Sequence, residues 1–194
     1  MFRPTLTGQG EKVHLASTNI DLTTHITDIV NVILYEDLHD VVLVGHSYGG
    51  MVITGVADRV PERIKHVIYV DAFLPEDGES VNTIRGQPGV VRLTANGFIT
   101  PTWLRGNEPV PHDVPQSAKT FSEPISLKNQ TAARKIPTTY ILTVDAGRKP
   151  EQDAFYPFYE HAKARGWTVM TMESDHNAQW SDPRELVALL EKAP

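Results

Sequence analysis

Between residues 41 and 50 the chain reads VVLVGHSYGG, an apolar β-branched run followed at once by Gly45-His46-Ser47-Tyr48-Gly49 and then Gly50. This is the nucleophile-elbow pattern Gly-x-Ser-x-Gly in the setting that gives it meaning, a buried strand before it and a helix after it. The sharp turn forces the serine into a strained backbone conformation. Gly45 and Gly49 are expected to make room for the turn, and Gly50 to let helix and strand pack closely. The arrangement presents Ser47 Oγ at a helix N-terminus, where the helix dipole favours developing negative charge. The N–H of Tyr48, the next residue, is the natural oxyanion donor.

The rest of the chain alternates strands with helices, as a parallel sheet covered on both faces requires. Phe2 to Leu6 reads as a short extended segment ending in the turn Thr7-Gly8-Gln9-Gly10. Leu22, Ile26, Ile29, Val30, Ile33 and Leu34 recur at helical spacing. Met51 to Val60 is a helix stopped by Pro61, and His66 to Val70 the next strand. Thr138 to Val144 reads as strand, Glu151 to Arg165 as helix, and Thr168 to Met172 as the last strand. A final helix starts at Asp182-Pro183-Arg184-Glu185, with Asp182 as the expected cap. These elements are expected to form one α/β domain over 1–194. Residues 76–135 have little periodicity and many Pro, Gly and Asn residues, and a structureless loop of that length is unexpected in a compact domain. They are read as a small cap insertion of short elements. Phe98, Trp103, Leu104 and Phe121 are its candidate pocket-lining side chains, Phe98 and Trp103 foremost as substrate contacts, with ordinary packing as the competing explanation.

Composition narrows the class. The chain has no cysteine, which removes disulfides, thiolate catalysis and Cys-ligated metal together and fits a cytoplasmic protein. A net charge of −6 with no basic run argues against a nucleic-acid partner. No stretch is apolar and long enough to cross a membrane, and the N-terminus lacks a signal-peptide pattern.

A nucleophilic serine needs a base, and the chain has eight histidines. His46 adjoins Ser47, but neighbouring side chains diverge at such a turn. His176 follows the last strand, on the sheet edge that carries the C-terminal ends of all parallel strands and hence Ser47. It is the expected base. The base needs a carboxylate to hold its tautomer. Asp145 closes one strand and Asp71 another, and both satisfy the order Ser, acid, His. Asp145 is preferred and Asp71 is the alternative. Asp175 is too near His176 in the chain, and Asp153 is expected within the following helix.

The elbow, Arg3-Pro4-Thr5-Leu6-Thr7-Gly8 with Gly10-Glu11, Asp71-Ala72-Phe73-Leu74-Pro75-Glu76-Asp77-Gly78 and Asp175-His176 together resemble the α/β-hydrolase superfamily. Within it they resemble bacterial relatives of the plant methylesterase and hydroxynitrile lyase group. The resemblance implies a small-pocket esterase with a Ser-His-Asp triad and neither metal nor organic cofactor. In that group the acid follows the strand that here ends at Asp145, although bacterial relatives often carry an aspartate at Asp71 too. Relatives begin with earlier strands and a His-Gly loop that supplies half the oxyanion hole, and this chain opens at what resembles the fourth strand. Loss of one such donor costs on the order of 10² to 10³ in rate. An N-terminally shortened sheet is expected to leave an edge and the stripe Ile26, Ile29, Val30 and Ile33 open, which predicts a homo-oligomer.

The leading function is a serine carboxylester hydrolase acting on a small-molecule ester, short acyl or aromatic. The alternative is a degenerate hydrolase that only binds a ligand or partner. A lyase is disfavoured, because lyases of the group resemble one another in a lysine after the histidine, where this chain has Asn177.

Overall fold

The computed structural model describes residues 1–86, 91–102, 104, 107 and 109–193. In chain order the described elements are α1 (Leu22–Tyr35), β1 (Val41–Ser47), α2 (Gly49–Arg59), β2 (Ile64–Ala72), α3 (Val81–Arg85), β3 (Val91–Leu93), β4 (Phe98–Pro101), β5 (Gln116–Ser117), α4 (Lys119–Ser122), α5 (Gln130–Ala133), β6 (Thr138–Val144), α6 (Tyr156–Ala164), β7 (Thr168–Glu173), α7 (Ala178–Ser181) and α8 (Pro183–Lys192). They fall into two compact units, Met1–Asp37 with Pro75–Leu127, and Leu38–Leu74 with Lys128–Pro194. The stretch expected as a cap insertion, 76–135, lies in the first unit up to Leu127 and in the second from Lys128.

The second unit is a parallel sheet in the order β1-β2-β6-β7. Its central strands are apolar runs buried along nearly their whole length, as parallel strands covered on both faces must be. β1 lies at the edge among the described residues, and there Val42 and Val44 alternate outward. Ile68, Val70, Ile141, Met172, Ala178 and Leu186 form one core, with Leu189 and Leu190 of α8 packed against it. α2 is buried on most sides and ends where Pro61 offers no N–H to continue it. The buried carboxylate of Asp58 accepts the N–H groups of Lys128 and Asn129, both at 2.8 Å.

In the first unit α1 opens on a capping box between Asp21 and Thr24. His25, fully buried, donates Nε2–H to the Thr7 carbonyl at 3.1 Å, and Asp28 accepts the Thr7 N–H and hydroxyl. A small antiparallel sheet, β3-β4-β5, accompanies the short helices α3 and α4.

Several expectations change. Phe2 to Leu6 forms no strand. Of the stripe expected to lie open, Ile26, Ile29, Val30 and Ile33, all but Ile29 are buried and Ile29 is half-buried. The helix expected from Glu151 starts at Tyr156, because Pro157 suits its first turn and a separate short helical turn, Pro150–Gln152, precedes it. Asp182 precedes α8 but caps nothing with its side chain, which instead accepts the Ser174 hydroxyl at 2.6 Å.

Candidate active site

Ser47 ends β1 with φ +53, a left-handed conformation that a serine adopts only where the surroundings impose it. The glycines share the task unequally. A Cβ on Gly45 would lie 2.7 Å from the Gly49 carbonyl oxygen, and one on Gly50 only 2.0 Å from the Phe73 carbonyl oxygen. At Gly49 a Cβ would meet nothing within 4 Å outside its own turn, so the room expected of Gly49 is not what the turn needs. Close packing at Gly50 sets the start of α2 against the chain leaving β2. The Phe73 N–H also donates to the Ser47 carbonyl at 3.1 Å. The elbow is thereby tied to the residues that follow Asp71.

His176 sits in the loop between β7 and α7, and that loop is laced by its own side chains. The Ser174 N–H continues the ladder onto the Val144 carbonyl at 3.0 Å. Asp175 accepts the Asn177 N–H at 2.8 Å and the Ser181 hydroxyl at 2.7 Å, which commits its carboxylate locally. The result brings His176 Nε2 to 3.0 Å from Ser47 Oγ and His176 Nδ1 to 2.6 Å from Asp71 Oδ2. An ionised carboxylate only accepts, so Nδ1 carries the ring proton and Nε2 is free to accept the serine proton.

The carboxylate at His176 therefore belongs to Asp71, the alternative of the sequence reading. Asp145, the preferred one, pairs with Arg148 at 3.5 Å on the surface. Asp71 has φ +44 and a side chain only 1% exposed, and its other oxygen accepts the Thr143 N–H at 3.2 Å. Asp153 lies before α6 rather than inside it and accepts the Phe155 N–H at 2.7 Å. Burial raises the Asp153 carboxyl above the ordinary carboxylate range, and the charge of Asp71 adds to that.

Two aromatic neighbours of the base were not expected from sequence. His46 donates Nε2–H to the His176 carbonyl at 2.6 Å, and the two rings lie 4.5 Å apart. Burial, then the neighbouring His176, push the His46 imidazole down to about 4. Phe155 stacks on the His176 ring at 5.0 Å and 11° and meets Phe73 edge-on at 5.2 Å. No local signal marks Phe155, whereas the adjacency of His46 to Ser47 was visible and was discounted on side-chain divergence. Phe98 lies in β4 of the first unit, opposite Ser117. Trp103 lies outside the described residues. Among the described residues no cluster of three or more His, Asp or Glu side chains is arranged to hold a metal ion, and no helix is long and apolar enough to cross a membrane.

Known proteins resemble the chain along most of its length. The model of the alpha/beta hydrolase family matches residues 2–189. The chain belongs to that family. It is 34% identical to the carbendazim hydrolyzing esterase of Nocardioides sp. (strain SG-4G), over 98% of this chain and 86% of that protein. It is 31% identical to methylesterase 2 of Arabidopsis thaliana over 55% of this chain and 43% of the relative. Among solved structures, the methylesterase MES16 from Arabidopsis superposes with a TM-score of 0.71, at 23% identity, covering 97% of this chain and 84% of the other. This alpha/beta hydrolase is thus a relative of the plant methylesterases and a hydrolase of the esterase type.

Proposed function

We propose that the protein hydrolyses small carboxylic esters through Ser47, His176 and Asp71. The observation that carries the reading is the pair of hydrogen bonds at His176, 3.0 Å to the serine and 2.6 Å to the buried aspartate. As Ser47 Oγ attacks the ester carbonyl carbon, its proton passes to His176 Nε2. Asp71 holds the tautomer and stabilises the imidazolium that forms. The oxyanion is assigned to the Tyr48 N–H at the start of α2, on the side where the helix dipole favours it. His176 returns the proton to the departing alkoxide and leaves an acyl-serine. Water enters, loses its proton to His176 and releases the acid by the reverse sequence.

Support for the substrate class comes from the relatives and from Phe155, stacked on His176, with Phe73 and Phe158 packed against Phe155. Short-acyl and aromatic esters fit that environment, and methyl esters and carbendazim are the substrates to assay first. A fluorophosphonate probe should label the wild-type protein, and Ser47→Ala should abolish labelling and lower turnover by about 10⁶. Undiminished turnover of a short p-nitrophenyl ester by folded Ser47→Ala would overturn the assignment. A folded wild-type protein that neither reacts with the probe nor turns over any of these esters would favour a ligand-binding relative without catalysis.

A further inference from the structure

β2 parts from its neighbour just where Asp71 must be held. On the β1 side its pairing runs on to Ser47 opposite Ala72, but on the β6 side the last pair is Val70 with Ile141. Asp71 and Ala72 thus leave the β6 ladder, and Asp71 does so with a left-handed backbone that costs a non-glycine residue free energy. Such a conformation persists only where its surroundings over-determine it.

One side chain fills the gap. The Tyr140 hydroxyl donates to the Ala72 carbonyl at 2.7 Å and accepts the Ala72 N–H at 3.0 Å. A single oxygen therefore satisfies both backbone groups of the residue next to Asp71. Its ring is fully buried, stacked on Tyr69 at 6.2 Å and edge-on to Tyr159 at 6.4 Å. Burial, and then the charge of Asp71, raise the phenol well above its ordinary value, so it keeps the proton it donates. The Thr143 N–H, from the same strand, binds Asp71 Oδ1 directly.

We propose that Tyr140 is a positioning residue that holds the Asp71 carboxylate at His176 by clamping the Ala72 peptide groups, so that β6 carries the holder of the acid. The proposal rests on Asp71 being the triad acid. Asp71 Oδ2 meets His176 Nδ1 at 2.6 Å, and a swing of the Asp71–Ala72 peptide moves that oxygen directly. Ser47 touches the same segment, its carbonyl accepting the Phe73 N–H, so an Asp71→Asn background is needed to separate an effect through the acid from one through the elbow.

Tyr140→Phe keeps the ring and removes the clamp. Its kcat should fall about tenfold with KM changed by less than about twofold, as expected for a small misplacement of a catalytic group. The far-downfield proton resonance of the His176–Asp71 hydrogen bond should move upfield or broaden, which a merely structural role would not cause. In an Asp71→Asn background, Tyr140→Phe should cost no further rate. A folded Tyr140→Phe with full kcat and an unmoved proton overturns the proposal, as does an equal further loss in the Asp71→Asn background. If Asp71→Asn itself keeps full activity, the acid assignment falls and the clamp falls with it. Should Tyr140→Phe fail to fold, hydrogen exchange of the wild-type Ala72 amide decides. Protection equal to that of ladder amides supports the clamp, and exchange at the rate of open-loop amides overturns it.

Discussion

Asp71 and Asp145 each follow an apolar run in neighbouring parallel strands, on the same edge of the same sheet, yet their surroundings differ almost completely. Asp71 is 1% exposed, holds a left-handed backbone and is gripped by β6 and His176. Asp145 is 48% exposed, and its carboxylate meets Arg148 three residues on, itself 61% exposed. A strand end delivers a carboxylate to the correct edge, but the irregular end of β2 turns it inward. At Ser47 and Ala72 the β1–β2 register shifts, and with it the chain direction. β6 ends without such a shift against β7 and passes into a surface turn, where the Arg148 N–H bonds the Asp145 carbonyl.

The largest effect expected from this contrast is on rate. Asp71→Asn should lower kcat by about 10⁴, the loss seen when a triad acid stops fixing the tautomer of its histidine. Asp145→Asn should stay within about twofold of wild type, as a surface change away from the site. Steady-state kinetics on a p-nitrophenyl ester measures both, and a crippled Asp145→Asn beside an active Asp71→Asn would invert the assignment.

Next comes a pH effect on stability, at the buried end of the comparison. His46 is held neutral in the fold with its titration lowered to about 4, by burial first and by His176 second. The unfolded chain takes up that proton near the ordinary histidine value, so the stabilisation is complete above that value and is lost as pH falls toward 4. The expected loss is about 2 to 3 kcal/mol for this partly buried ring. Denaturant melts of wild type and His46→Gln across that window should converge as pH falls. Parallel curves would show that His46 titrates alike in the folded and unfolded chains.

At the exposed end the effect shrinks. The Asp145–Arg148 pair should contribute less than about 1 kcal/mol in a double-mutant cycle and fade with added salt. A coupling several times larger would mean that the turn after β6 is organised by this pair. Thr143 Oγ1 is buried and, among the described residues, has no hydrogen-bond partner, although its N–H holds Asp71. Thr143→Val should therefore lie within about 1 kcal/mol of wild type in a chemical melt, since no hydrogen bond is lost. A loss of several kcal/mol would show that the hydroxyl has a partner in solution.

Much of the fold could be read locally. The strand before Ser47, the helix stopped at Pro61 and the two apolar runs at 66–70 and 138–144 were visible because β-branched runs, glycine and proline act on their own neighbours. His176 was legible one step further out, since parallel strands place all their C-terminal ends on one edge. The segment at Phe2 to Leu6 misled because a strand needs a partner, and pairing is not a local property. Asp182 misled for the same reason: its carboxylate had a competing donor in Ser174, which no helix-capping rule includes.

The amino-acid order of Gly45 to Gly50 determined by itself where a strained serine would stand, because that turn is built from contiguous residues and small side chains at its tightest contacts. It also limited the partners to residues at strand ends. Which aspartate reached His176 was decided only in three dimensions. Both candidates have the same local sequence grammar, and the choice rests on an irregular β2 end, a backbone N–H from Thr143 and a hydroxyl from Tyr140, groups 68 to 72 residues away in the chain from those they hold. Hydrogen bonds of that separation form only once the sheet has assembled, and burial of the aspartate follows from them.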